Sequence, residues 1–570
     1  MSWALKEKYR AILSREKGYY EKAWGEHITV CLAYPNAYRT GMSNLGFQTV
    51  YDLFNRSDAC LCERVFLPDP EEEAEFRRGE ISLFSLESQR PLADFDILAF
   101  SLSFENDYPN ILKILELGRI PFLARERSAK APLLLGGGMA ATLNPEPLAD
   151  FFDCFILGEG EEVIAEFLRH FREIRQAGAA PEEILFHLQK KLTGFYAPRF
   201  YQVTYGADGL IEKRAARDKE LPETIKKRRL PDINAFPTEQ CICAKDTELG
   251  EMLLVEVSRG CSRGCRFCAA GFVCRPARFR GRDLLEASFG KALERSPKIG
   301  LLGTAVSDHP ELVSLCRAIR EQGGKVAIGS LRLDRIDREL IAMLKEGGTE
   351  TLALAPEAGS QRLRDVIHKG IGEEQIVRAV EVLTEEKIPN LRLYFMVGLP
   401  TEEEEDIEAI IQLTRKIKHI ATSHSQGAWS FKRITLSINQ FIPKAATPFQ
   451  WCPLTDILVV KKRVRRIEQA FRREPFLRVI HDLPKWNYVQ ALLSLGDRRV
   501  GEILLAVHRH GGNWPQACKE VNLNPDFYVY RPKDLSEILP WDFIDHGVSK
   551  SFLKEEYGKA FPELKITPSY

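Results

Sequence analysis

Long apolar runs are absent from this sequence: none approaches the ~18 residues of a membrane span. An excess of either charge is also absent, since 80 Lys and Arg cancel 80 Asp and Glu, so no global field argues for nucleic acid or an acidic membrane surface. The opening stretch MSWALKEKYRAILSREK is charged and helix-like and lacks an apolar signal core, which makes the cytoplasm the expected location. The 13 cysteines are an odd number scattered along a long chain. That pattern excludes the disulfide framework of small secreted proteins and leaves reduced thiols with a few metal ligands. What remains is a 570-residue chain, 44% hydrophobic and 28% charged, as expected of a soluble globular enzyme of several domains.

From about residue 27, strand-like runs alternate with helical segments: HITVCLAYP, CERVFLP, DILAFSLSF, APLLLGGG and DCFILGEG. Buried apolar strands alternating with helices predict a parallel sheet covered on both faces, and five of them predict a flavodoxin-like doubly wound domain over residues 1–195. Residues 196–250 break the rhythm. YQVTYGADGLIEKR predicts a hairpin, and IKKRRLPDINAFP reads as a linker. Its four basic residues could touch phosphate, with a solvated basic loop the commoner explanation. From residue 251 to 455 the alternation resumes over six strand–helix units, which predicts a partial barrel with its chemistry at the carboxyl ends of the strands. Residues 456–570 read as mainly helical. They begin with the basic run VVKKRVRRIEQAFRR, which suits a charged surface helix more than an RNA-facing one.

The first strand of the barrel set leads into CSRGCRFC. Structural zinc takes four protein ligands, usually from two separated pairs of cysteines. Cys261, Cys265 and Cys268 fit better as three thiolate ligands of a [4Fe-4S] cluster whose fourth iron stays open. An open iron can receive a small molecule, which turns an electron carrier into a catalyst.

Cys-x-x-x-Cys-x-aromatic-Cys after the first strand of a partial barrel resembles the radical S-adenosylmethionine (SAM) superfamily. The resemblance implies that SAM chelates the open iron and is cleaved by one electron to a 5′-deoxyadenosyl radical. It implies a low-potential electron donor such as flavodoxin or ferredoxin as partner. It also implies a SAM site: Phe267 beside the last ligand, Gly303 and Thr304 near the methionyl amine, Ser330 and Tyr394 around the ribose, and Gly398 in the adenine motif. In PEAGSQRLRDVIHKG, Glu357 would bond ribose hydroxyls and Lys369 would neutralise the SAM carboxylate. Lys444 is a further group that could reach substrate or SAM.

The first domain resembles a cobalamin-binding module, and nearly the whole chain resembles radical SAM proteins with such a domain at the N-terminus. That resemblance places cobalamin near Ser101, Ser103, Gly136, Gly137, Gly138, Thr142, Gly158 and Glu159. The first loop departs from the pattern. Where modules that ligate cobalt from below have Asp-x-His-x-x-Gly, this chain has Asn36 to Gly41, and no histidine has Asp two residues before it. Tyr38 would then stand near the lower face, with Gly41 completing the loop. The implied reaction is cobalamin-dependent methylation of an unactivated carbon. Two other readings stay open: radical oxidation, rearrangement or sulfur insertion on RNA, protein or a lipid-like substrate, and a cluster-bearing sensor without turnover.

Overall fold

The computed structural model describes residues 2–236, 239–423 and 431–563. Its first sheet contains β1 (Ile28–Tyr34), β2 (Cys60–Phe66), β3 (Ile97–Ser101), β4 (Leu133–Gly137), β5 (Cys154–Ile156) and the short β6 (Phe195–Tyr196). They lie in the order β2-β1-β3-β4-β5-β6. The first five are parallel, and β6 closes the edge antiparallel to β5. Every residue of β1 and β2 is buried, which is why these strands read as nearly unbroken apolar runs. The strand order reverses between β1 and β3, opening the crevice where doubly wound sheets bind ligands. Asn44 starts the helix Leu45–Arg56 by accepting a bond from the Phe47 amide, so the β1 loop is fixed at that crevice.

The expected hairpin is formed by β7 (Tyr201–Tyr205) and β8 (Ile211–Ala216). The basic linker is more ordered than its sequence suggests. Ile225–Lys226 forms β9 and pairs with Ile544–Asp545 from near the other end of the chain.

The barrel is built from two four-stranded sheets. One holds β10 (Leu253–Arg259), β11 (Arg278–Phe279), β12 (Lys298–Gly303) and β13 (Lys325–Ile328), ordered β11-β10-β12-β13. The other holds β14 (Thr351–Glu357), β15 (Asn390–Val397), β16 (Arg433–Gln440) and β17 (Leu477–His481) in sequence order. The six expected parallel strands are present, and β17 adds a seventh, parallel to β16, so the sheet runs past residue 455. The connection is the basic helix Ile457–Phe471. Its Val460, Val464, Ile467 and Phe471 recur at helical spacing and are buried in the barrel core, while Lys461, Lys462, Arg465 and Arg466 lie on its exposed side.

The helices Pro484–Leu495 and Val500–Arg509 return to the first sheet and share one apolar core with it through Val489, Leu492, Ile503 and Leu504. Buried polar contacts fix the junction. Asn144 donates to the carbonyls of Ser494 (3.1 Å) and Gly496 (2.8 Å), and Arg498 pairs with Glu146 at 2.9 Å. Among the described residues no helix is long and apolar enough to cross a membrane.

Candidate active site

The loop after β10 is held at both ends. Gly260 has φ +82°, and a Cβ there would lie 2.1 Å from the Cys274 carbonyl oxygen, so only glycine lets the outgoing and returning legs meet. Within the loop the Cys268 amide bonds the Cys265 carbonyl at 3.0 Å. Arg266 anchors the turn: its amide donates to Ile367, and its guanidinium donates to the Val366 carbonyl (2.8 Å) and to Glu556 (3.3 Å). Arg263 reaches Asp308 beyond β12 at 3.2 Å. The loop is therefore tied to three other segments of the chain.

Cys261, Cys265 and Cys268 are free thiols on this one loop. Burial raises the Cys265 thiol to about 11, against the pull of the Lys369 ammonium, and the other two cysteines also act on it. Burial likewise raises Cys268 while Lys369 opposes it. Three soft, mutually coupled sulfurs beside a fixed cation suit an anionic iron–sulfur cluster. Among the described residues no three His, Cys, Asp or Glu side chains are disposed around a single metal ion.

Glu357 ends β14 at a bulge with φ 68°, a left-handed conformation that an unconstrained glutamate seldom adopts. Lys369 meets its carboxylate at 3.0 Å. Across the sheet Glu357 is in register with Phe395, beside the half-buried Tyr394. Phe267 packs against a cluster that contains Ala358, Leu363, Ile367, Met396 and Leu399. Gly398 (φ 78°) turns the chain after β15, donating its amide to Glu402 at 2.6 Å and accepting from Thr455 at 3.0 Å. Ser330 lies exposed past β13 and makes no hydrogen bond among the described residues.

A cavity of 480 Å³ joins the first domain to the barrel. Ser101 and Ser103 line it from the end of β3, Gly136, Gly137, Gly138 and Thr142 from β4 and beyond, and Gly158 and Glu159 from the turn after β5. Ser258, Gly303 and Thr304 line it from the ends of β10 and β12, and Val273 and Cys274 from the returning leg of the cysteine loop. The glycines differ in why they are there. A Cβ at Gly136 would lie 2.5 Å from the Phe155 ring, and one at Gly138 (φ +110°) 2.6 Å from the Leu102 carbonyl. At Gly137 nothing is closer than 3.6 Å, so a side chain there would take space from the cavity itself.

Tyr38 and Gly41, two of the residues expected near cobalamin, are not among those lining this cavity. The Tyr38 hydroxyl donates to Glu16 at 2.6 Å, and Glu16 pairs with the fully buried Arg64, also at 2.6 Å. Neither Tyr38 nor Gly41 lines the cavity, and a Cβ at Gly41 would strike the Phe66 ring at 2.6 Å. A buried charge demands its partners, and that demand commits Tyr38 to the packing of its own domain. Glu159 does line the cavity, but its carboxylate is taken by Arg278 at 2.5 Å and the Leu230 amide at 2.6 Å, tying the first domain to the barrel. Lys444 is likewise committed, to Glu105 at 2.5 Å and Ser494 at 2.9 Å. Sequence reasoning missed Lys227 and Ser258 as cavity residues. Lys227 sat within a run that looked solvated, and Ser258 within an ordinary strand.

Comparison with known proteins finds similar families and relatives. Residues 46–198 match the family described as radical SAM proteins, N-terminal, and residues 255–414 match the radical SAM superfamily. A protein of Methanocaldococcus jannaschii named "Uncharacterized protein MJ0966" is 29% identical over 480 residues, 83% of this chain and 90% of its own length. An "Uncharacterized methyltransferase PH0819" of Pyrococcus horikoshii is 24% identical, over 49% of this chain and 57% of that protein. Among solved structures, the cobalamin-dependent SAM radical enzyme OxsB with aqua-cobalamin and SAM bound aligns over 95% of this chain and 79% of its own. Its TM-score is 0.45 and its identity 12%.

Proposed function

The chain belongs to the radical SAM superfamily, and from that premise we propose that it transfers a methyl group to an unactivated carbon using cobalamin held by its first domain. The superfamily uses a [4Fe-4S] cluster and SAM, and its chemistry needs a reductant. Cys261, Cys265 and Cys268 would hold the cluster, which when bound supplies the electron that cleaves SAM. Lys369 would pair with the SAM carboxylate and Glu357 would accept from the ribose hydroxyls; without a ligand the two pair with each other. Phe267 would close the apolar side of the site.

One observation carries the cobalamin part: a single cavity is bounded both by the glycine-rich strand ends of the first sheet and by Gly303 and Thr304 of the barrel. A group bound there is presented to the barrel's reactive face. The cavity's 480 Å³ is of drug-ligand size and suits the nucleotide tail of cobalamin rather than its macrocycle. That size also favours a second reading, in which a smaller ligand fills the cavity and the radical chemistry proceeds without methyl transfer.

The experiment is anaerobic purification, cluster reconstitution and addition of hydroxocobalamin, followed by retention, visible spectrum and product analysis with SAM and a reductant. Tight retention with S-adenosylhomocysteine and 5′-deoxyadenosine formed together is the expected result. Formation of 5′-deoxyadenosine without corrinoid retention would replace methyl transfer with the second reading.

A further inference from the structure

The polar end of the cavity holds a charge that this reading does not use. Its carboxylates are matched by arginines: Glu159 by Arg278 at 2.5 Å, Glu161 by Arg259 at 2.7 Å, and Glu256 by Arg280 at 2.8 Å. Arg228 is matched in turn by Glu162 (2.7 Å) and Glu166 (2.6 Å). Lys227 is different. It is only 9% exposed, it lines the cavity, and its ammonium donates to the Val273 carbonyl; among the described residues no carboxylate stands within ion-pair distance of it. The neighbouring His546 imidazole is kept neutral by burial and by Lys227 itself, and in neither protonation state does an imidazole carry a negative charge to match the ammonium.

A second group at the same cavity lacks a partner. Ser258 is 2% exposed, and among the described residues its Oγ makes no hydrogen bond. It lines the cavity from β10, in register with Gly303, where a Cβ would lie 2.3 Å from that Oγ. A buried ammonium with no carboxylate in contact and a buried hydroxyl with no acceptor among the described residues are each unfavourable in the free protein. Both groups line the one cavity, so an anionic group of a ligand bound there has two donors on the cavity wall, one from Lys227 and one from Ser258.

We propose that this end of the cavity is an anion subsite, in which Lys227 pairs with, and Ser258 donates to, a phosphate or carboxylate group of the bound molecule. The proposal rests on the cavity being a ligand site, not on that ligand being cobalamin. In cobalamin the anion is the phosphodiester of the nucleotide tail; in a smaller ligand it is a free phosphoryl or carboxylate group.

The test uses the full-length, cluster-reconstituted protein and its Lys227→Met, Lys227→Arg and Ser258→Ala variants. Thermal midpoints are measured in inorganic phosphate and in chloride at matched ionic strength. Lys227→Met is expected to melt above the wild type in chloride, because the unmatched charge is gone. Phosphate is expected to raise the midpoint of the wild type and of Lys227→Arg, to leave Lys227→Met unmoved, and to affect Ser258→Ala less. Retention of hydroxocobalamin and of cobinamide, which lacks the nucleotide and its phosphate, identifies the source. If the phosphodiester is the anion, Lys227→Met loses about tenfold or more in hydroxocobalamin affinity and nothing in cobinamide affinity. If no variant retains either corrinoid while the phosphate response stands, the cobalamin reading fails and the subsite remains, for a free anion. A phosphate response shared equally by wild type, Lys227→Met and Ser258→Ala would overturn the proposal. Should Lys227→Met not fold, an undiminished response in Ser258→Ala overturns it alone.

Discussion

The ammonium of Lys369 lies 3.0 Å from the carboxylate of Glu357, and both side chains are mostly buried beside the cysteine loop. Glu357 is held there with a left-handed backbone, a cost that the fold sustains only where the surroundings over-determine it. A pair poised this way has a measurable signature. Losing one charge-assisted hydrogen bond costs about 1.5–3 kcal/mol, or roughly 10–100-fold in affinity. Lys369→Ala should therefore weaken SAM binding to the reconstituted protein by that factor in equilibrium dialysis, and Lys369→Arg should recover part of it. Unchanged binding in both Lys369→Ala and Glu357→Gln would remove the pair from the SAM site.

The glycines after β4 separate a cavity role from a packing role. Gly137→Leu should melt with the wild type, because the space before it is cavity, yet abolish retention of hydroxocobalamin. Gly138→Ala should instead lose about 1–3 kcal/mol of stability, since its Cβ would meet the Leu102 carbonyl from a left-handed backbone. Retention undiminished in Gly137→Leu would place the cofactor outside this cavity.

Legibility in the sequence follows the range of the forces involved. Strands β1 to β5 could be read because a parallel strand buried on both faces must be apolar along its whole length. The cysteine loop could be read because its chemistry is local. Strand β17 could not, since Leu477–His481 is half exposed and carries no apolar run of its own. Nor could Lys227, whose burial depends on Val273 and on the pairing of Ile225–Lys226 with Ile544–Asp545. Tyr38 shows the same dependence on distant residues. Its loop position resembles a cofactor contact, but its hydroxyl donates to Glu16, remote in sequence and itself held by Arg64.

Glu105 is the hub between the first domain and the C-terminal helices, accepting from Lys444 (2.5 Å), Ser494 (2.9 Å) and Gln490 (3.1 Å). Burial alone would raise its pKa, but Lys444 and these bonds overcome that and hold it below the usual carboxylate value. A depressed folded pKa gives stability that is complete above the unfolded value and is lost as pH falls toward the folded one. Docking of residues 484–509 should thus loosen below about pH 4.5, seen as faster hydrogen exchange there. Lys444→Ala strands a buried carboxylate and should cost about 3–5 kcal/mol, while Lys444→Met with Glu105→Gln should cost less. Equal losses in the two would reduce Lys444 to a packing residue.

His546 provides a titration of the opposite chemical type with the same sign. Burial first, and then the Lys227 ammonium, push its imidazole from 6.5 down to about 3, and among the described residues neither ring nitrogen has a hydrogen-bond partner. The folded protein holds it neutral while the unfolded chain protonates it near pH 6.5. Its stabilising contribution is therefore complete above that pH and falls as pH drops from about 6.5 toward 3. The loss across that window is on the order of a few kcal/mol. His546→Phe also deletes two unsatisfied buried nitrogens, so its melting midpoint should fall less steeply with acid than that of the wild type, and the two curves should separate below pH 6.5. Parallel curves across that window would mean that His546 is solvated or hydrogen-bonded in the working enzyme.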